Sequence, residues 1–156
     1  MTLVGLDAQR ERFLTAQKTG RLPHAWLLRG PRGIGKAMLA VECAKSLLNQ
    51  PHLVDTASHP DMFRLTPAED KKNILVEDVR EAMHFLRSKP SLGGWRVLLL
   101  DSADDLNINA ANALLKLLEE PGENTALFLI SHNAGRLLPT IRSRCAALRC
   151  PAPNVE

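Results

Sequence analysis

The residues of this chain best placed to do chemistry are Gly30-Pro31-Arg32-Gly33-Ile34-Gly35-Lys36. They follow the apolar run Ala25-Trp26-Leu27-Leu28 and open a helical pattern, so they read as a glycine-rich loop between a strand and a helix. In that setting successive backbone N–H groups make an anion nest, the helix contributes its positive end and the lysine reaches phosphate oxygens. The chemistry is polyphosphate binding; the competing account is a loop that keeps its shape for folding and binds nothing. The next position limits the chemistry. A Ser or Thr there would hold Mg²⁺ against the phosphates through its hydroxyl, but the residue is Ala37, and a methyl group cannot. The set Gly30 to Ala37 is therefore a degenerate nucleotide loop, with ATP and Mg²⁺ binding weakened and no cofactor certain.

A second loss points the same way. Asp101 ends the apolar run Val97-Leu98-Leu99-Leu100, where nucleotide hydrolases place an acidic residue to hold Mg²⁺. The following residue, often a glutamate that activates water, is Ser102. A hydroxyl of ordinary pKa cannot serve as that base near neutral pH. The chain is built like an ATPase and is expected to be a poor one.

The elements that position these residues alternate. Helical patterns at 4–18, 36–48, 76–88, 107–120 and 138–142 are separated by apolar runs at 25–29, 61–65, 96–101, 126–130 and 146–149. Runs without polar interruption belong to strands covered on both faces, so the pattern predicts an α/β fold with a five-stranded parallel sheet between helical layers. The stretch 49–60 carries Pro51 and Pro60 and reads as a loop. At 156 residues with 45% hydrophobic and 24% charged residues, one folded domain with a substantial core is expected.

Composition closes off other classes. The net charge of +3 comes from scattered Lys and Arg, and aromatic residues are 4%, so neither a basic stripe nor a stacking platform supports a direct nucleic-acid-binding module. No apolar stretch approaches the roughly 20 residues of a membrane span, and the N-terminus lacks a signal-peptide layout. The expectation is a cytoplasmic protein without a membrane partner. Cys43, Cys145 and Cys150 have no Cys-x-x-Cys spacing and read as buried thiols; metal ligation is not predicted.

Four stretches in order, Gly30 to Lys36, Leu100-Asp101-Ser102-Ala103-Asp104, Ala110 to Pro121 and Thr140-Ile141-Arg142-Ser143-Arg144-Cys145, resemble the AAA+ module of bacterial clamp-loader subunits. The resemblance is nearest to the delta-prime type of DNA polymerase III and runs from Val4-Gly5 to Pro151. It implies a three-layer P-loop NTPase fold over residues 1–156, with the family's helical lid and collar domains absent. It further implies that Arg144, in the Ser-Arg-Cys triplet, acts catalytically in trans as an arginine finger on a neighbour's γ-phosphate. Arg142 is left as a solvated surface charge. Ser131, at the end of the strand 126–130, matches the family's γ-phosphate sensor, although a strand-end serine is also an ordinary turn former.

In the helical pattern that ends at Glu120, Ala110, Ala113, Leu114, Leu117 and Leu118 make one apolar stripe, leaving Lys116, Glu119 and Glu120 to a neighbour or solvent. Many delta-prime relatives carry a four-cysteine zinc module before the His59-Pro60-Asp61 stretch. The interval 49–58 has no cysteine, and His52 and His59 cannot replace four ligands, so zinc is not expected.

The implied function is that of a delta-prime-type subunit in the DNA polymerase III holoenzyme. Its partners would be ATP-binding gamma or tau type and delta type subunits, and the sliding clamp and primed DNA through the assembled complex. The alternative is a motor-type AAA+ subunit that hydrolyses its own ATP, against which Ala37 and Ser102 argue.

Overall fold

The uninterrupted apolar runs form the sheet. In the computed structural model, which describes residues 6–67 and 71–152, five strands lie in the order β2-β3-β4-β1-β5. They are β1 (Ala25–Arg29), β2 (Met62–Leu65), β3 (Arg96–Asp101), β4 (Thr125–Ser131) and β5 (Ala146–Arg149), and every pairing is parallel. Six helices connect them: α1 (Asp7–Lys18), α2 (Lys36–Leu47), α3 (His52–Asp55), α4 (Val76–Arg87), α5 (Ile108–Glu119) and α6 (Pro139–Arg142). The predicted five-stranded α/β architecture is the observed one.

The two faces of the sheet bury separate cores. Alternation along β1 sends Trp26 and Leu28 to one side, where they meet Phe13 of α1 and Leu39, Ala40 and Cys43 of α2. Ala25 and Leu27 go to the other side, against α4 and α5. Phe13 is the hub of the first core, with ring centroids 5.2 Å from Trp26 and 5.6 Å from Phe128. The apolar face of α4 is buried through Val79, Ala82, Met83 and Leu86. Its first turn is held by Asp78, whose carboxylate accepts from the Leu75 N–H at 2.9 Å.

Several boundaries and roles differ from expectation. α1 starts at Asp7, with Val4 and Gly5 outside the described residues. α5 is capped by Asn107, whose side chain accepts from the Ala110 N–H at 2.8 Å. The stretch read as a loop over 49–60 contains the short helix α3, entered through Pro51, whose fixed φ suits a helix start. His59 is buried: its Nε2 bonds the Asn49 carbonyl at 2.6 Å, and its Nδ1 accepts from the Asp61 N–H at 3.0 Å. Arg142 is half-buried, with a buried Nε that has no partner among the described residues, so it is not a freely solvated charge.

Candidate functional site

Parallel strands deliver their carboxyl ends to one edge of the sheet, which is where open α/β sheets place ligands. Here β1 ends at Arg29, β3 at Asp101, β4 at Ser131 and β5 at Arg149, so the predicted loop, Asp101, Ser102 and Ser131 gather at this edge. The loop is anchored at both sides. Gly30 N–H donates to the Ser131 carbonyl at 3.2 Å, and Cys150 N–H donates to the Arg29 carbonyl at 2.7 Å.

Gly30 is required by this anchoring, because a Cβ there would fall on the backbone carbonyl oxygen of Cys150, well inside van der Waals contact. The obstacle is backbone, so it cannot rotate away. Gly30→Ala is expected to destabilise the fold by about 2–3 kcal/mol, lowering the melting temperature by roughly 4–12 °C for a chain of this size. A thermal melt checks this; an unchanged midpoint would show that β5 can move off the loop at no cost.

Gly35 opens α2 at φ 94°, a left-handed conformation that glycine adopts without strain, and no side chain caps this helix. Its first N–H groups therefore remain available to an anion, and the nest half of the site fits phosphate. Lys36 is buried and donates its Nζ to the Gly30 carbonyl at 2.5 Å and to the Pro31 carbonyl. Burial pushes its pKa down, against the charges of Cys150, Asp101 and Asp104, which pull it up. The metal half does not fit. Ala37 offers no side-chain oxygen, and among the described residues the one basic side chain in ion-pair range of the Asp101 carboxylate is His132, whose Nε2 is 3.8 Å away. Burial, followed by the Lys36 and Arg32 charges, holds His132 below its ordinary pKa, so this contact is not an ion pair at neutral pH.

Ser102 caps the turn that follows β3. Buried at the end of β3, its Oγ accepts from the Asp104 N–H at 3.1 Å and starts the 3₁₀ turn Ala103–Asp105. That turn aims Asp104 at β4. One Asp104 oxygen accepts from the Ser131 hydroxyl at 2.6 Å, and the other from the N–H groups of His132 and Asn133 at 2.7 and 3.0 Å. Asp104 thus fixes the fully buried Ser131 and the loop after β4, a role that the motif containing it did not reveal. The available signal was its position: an acidic residue one turn beyond a strand-end aspartate, where a cap for neighbouring N–H groups is useful.

Arg144 is not brought to this edge. It precedes β5, whose Ala146 is in register with Trp26 and whose Arg149 is in register with Arg29, so it lies at the amino edge of the sheet. The strand rises about 3.3 Å per residue, which puts its two ends more than about 10 Å apart. Its guanidinium is exposed and doubly held: one nitrogen donates to the Thr140 carbonyl at 3.0 Å, and the other lies 3.2 Å from Glu119 Oε1 at the end of α5. Among the described residues no group of three or more His, Cys, Asp or Glu is arranged to hold a metal ion. Cys43, Cys145 and Cys150 are free thiols, and burial pushes the first two up to about 12.

Known proteins resemble this arrangement. Residues 6–154 match the family model described as DNA polymerase III, delta subunit. The chain is 46% identical over 92% of its length to the DNA polymerase III subunit delta' of Pseudomonas aeruginosa, and 31% identical over 94% to the DNA polymerase III subunit tau of Escherichia coli. It covers 48% of the former protein and 25% of the latter, so it spans about half the length of its delta' relative. Among solved structures, a DNA polymerase III, gamma subunit-related protein from Thermotoga maritima superposes with a TM-score of 0.73 at 23% identity, covering 93% of this chain and 46% of that one. That likeness carries the fold, a three-layer P-loop architecture of the AAA+ type. On the family match and the identity to delta' relatives, the chain belongs to the DNA polymerase III delta-prime family.

Proposed function

We propose that this chain is the nucleotide-binding-type core of a delta-prime clamp-loader subunit that turns over little or no ATP of its own and supplies Arg144 in trans. The observation that carries this is the placement of Arg144 at the edge of the sheet opposite its own phosphate nest. An exposed arginine on that edge is out of reach of its own loop. It can serve a nucleotide held by a neighbouring gamma or tau type subunit. Glu119 and the Thr140 carbonyl hold the fork in one orientation on the surface, which lowers the entropy lost when it meets phosphate oxygens. The delta type subunit, the sliding clamp and primed DNA would be reached through the assembled ring, in the cytoplasm. No helix among the described residues is long and apolar enough to cross a membrane. The test is ATPase of the assembled loader with Arg144→Ala: a fall with assembly intact supports the proposal, and an unchanged rate contradicts it.

The complementary expectation concerns this chain alone. With no hydroxyl at Ala37 and with Ser102 committed to its turn, the isolated chain is expected to show no steady-state ATPase above a no-enzyme control. Turnover abolished by Lys36→Ala would instead favour a motor-type subunit. Protein purified without a chelating tag is expected to contain no stoichiometric zinc by elemental analysis, since the three thiols are dispersed.

A further inference from the structure

The two edge strands of the sheet are finished differently. At β5 the backbone groups of Ala147 and Arg149 face away from β1, and α1 covers them. Arg12 Nη1 donates to the Ala147 carbonyl at 2.6 Å, and Gln9 Nε2 donates to the Arg149 carbonyl at 2.7 Å. At the opposite edge the Val97 N–H donates to the Asp61 carbonyl at 2.9 Å, which turns Asp61, Phe63 and Leu65 toward β3 and the backbone of Met62 and Arg64 outward. The Met62 N–H is taken by the His59 carbonyl at 3.4 Å. The Met62 carbonyl and both backbone groups of Arg64 have no backbone partner among the described residues. Bare edges invite the addition of a further strand, and folded chains commonly cover them. This chain covers one edge and leaves the other open.

The surface beside the open edge is grooved. Val54, Ala57, His59, Met62 and Arg64 line a cleft of about 230 Å³. A second cleft, of about 390 Å³, shares Val54 and Arg64 with the first and continues to Met38 and Val41 of α2. The groove therefore follows the face of β2 that carries Met62 and Arg64. Lys45, in the second cleft, is already paired with Glu42 and Asp55. Arg64 is exposed, and among the described residues it forms no ion pair with a carboxylate. A second copy of β2 suits this edge poorly, because joining the two strands antiparallel puts both copies of Arg64 on one face of the sheet, where like charges repel.

We propose that β2 is a docking edge for an extended peptide segment of a partner protein. The segment adds as a further strand, sets an apolar side chain in the cleft beside Val54 and Met62, and brings a carboxylate to Arg64. Main-chain bonds to the outward groups of Met62 and Arg64 give affinity, and alternate side chains entering the groove give specificity. Residues two positions apart on a strand share a face, so the segment carries its apolar and acidic residues at that spacing.

The experiment uses the full chain and short fluorescein-labelled threonine peptides with valine and glutamate two positions apart, made in both orders to cover parallel and antiparallel docking. Control peptides carry lysine in place of glutamate. At least one glutamate peptide is expected to bind by anisotropy and to slow exchange of the Arg64 amide proton, read by NMR. Arg64→Glu is expected to weaken that peptide about fivefold or more and to favour the lysine control. Arg64→Pro removes the outward N–H at an edge position, where proline is tolerated, and is expected to abolish measurable binding. The side chain is exposed, so Arg64→Glu is expected to keep the native melting midpoint. The proposal is overturned if neither glutamate peptide binds, or if Arg64→Glu binds it as tightly as the native chain. It is also overturned if the chain sediments as a dimer that Arg64→Pro dissolves, since the edge then belongs to a second copy. Arg144 and the phosphate loop take no part in this measurement, so its outcome is separate from that of the trans-acting role.

Discussion

Asp61→Ala is expected to destabilise the chain by about 3–5 kcal/mol, the cost of removing one partner from a buried ion pair. Asp61 is fully buried just before β2. Its two oxygens accept from the N–H groups of Ser91 and Leu92 at 2.6 and 2.8 Å and face Arg96 at 3.4 Å. Arg96 is itself buried, donating to the Phe85 and Lys89 carbonyls at 2.6 Å each, with its guanidinium carbon 4.3 Å from the Phe85 ring centroid. One carboxylate therefore ties the turn after α4 to the first residue of β3. Its loss strands a guanidinium and two backbone donors in a region that water does not reach. The measurement is chemical denaturation of Asp61→Ala alongside the double variant Asp61→Ala/Arg96→Met. The double variant is expected to recover part of the loss, because the uncompensated charge is gone. A single variant within about 0.5 kcal/mol of the native chain, the usual range of surface substitutions, would contradict the buried-pair account.

The Asp61 network also shows where the sequence stopped being legible. The strands could be read because each is a short apolar run between turn residues, and β1, β3 and β5 lie at the predicted residues. The glycine loop could be read because its backbone role demands particular residue types at fixed spacing. His59 and Asp61 could not be read: their partners, Asn49, Ser91, Leu92 and Arg96, are 10 to 35 residues away in sequence, and only the completed sheet brings them together. Long-range polar contacts leave no periodic trace, unlike an apolar face. The same limit hid Asp104, whose bonds to Ser131, His132 and Asn133 span 27 to 29 residues. Ser102 shows the complementary case. Its unsuitability as a base followed from its chemistry alone, while its use as a cap required the turn that follows it.

For Arg144, the residue type and the motif identified the candidate, and the parallel register supplies the physical argument for action on another subunit. The most direct measurement is the DNA-stimulated ATPase of a reconstituted loader containing the full-length subunit with Arg144→Ala. Because the side chain is exposed and its pairing with Glu119 is a surface contact, folding and ring assembly are expected to survive. On the proposed trans-acting role, turnover at the one nucleotide site that Arg144 would serve is expected to fall about 10³-fold or more, the effect of removing a guanidinium from a phosphoryl-transfer transition state. Arg144→Lys is expected to rescue poorly, since an ammonium lacks the planar fork. Arg142→Ala, two residues earlier at the end of α6, removes a charge of the same sign and is expected to leave that site's turnover intact. Single-turnover hydrolysis resolved by site, in a correctly assembled complex, decides the matter. Loss at the neighbouring site with Arg144→Ala alone is the predicted result, and native turnover at every site would contradict the trans-acting role.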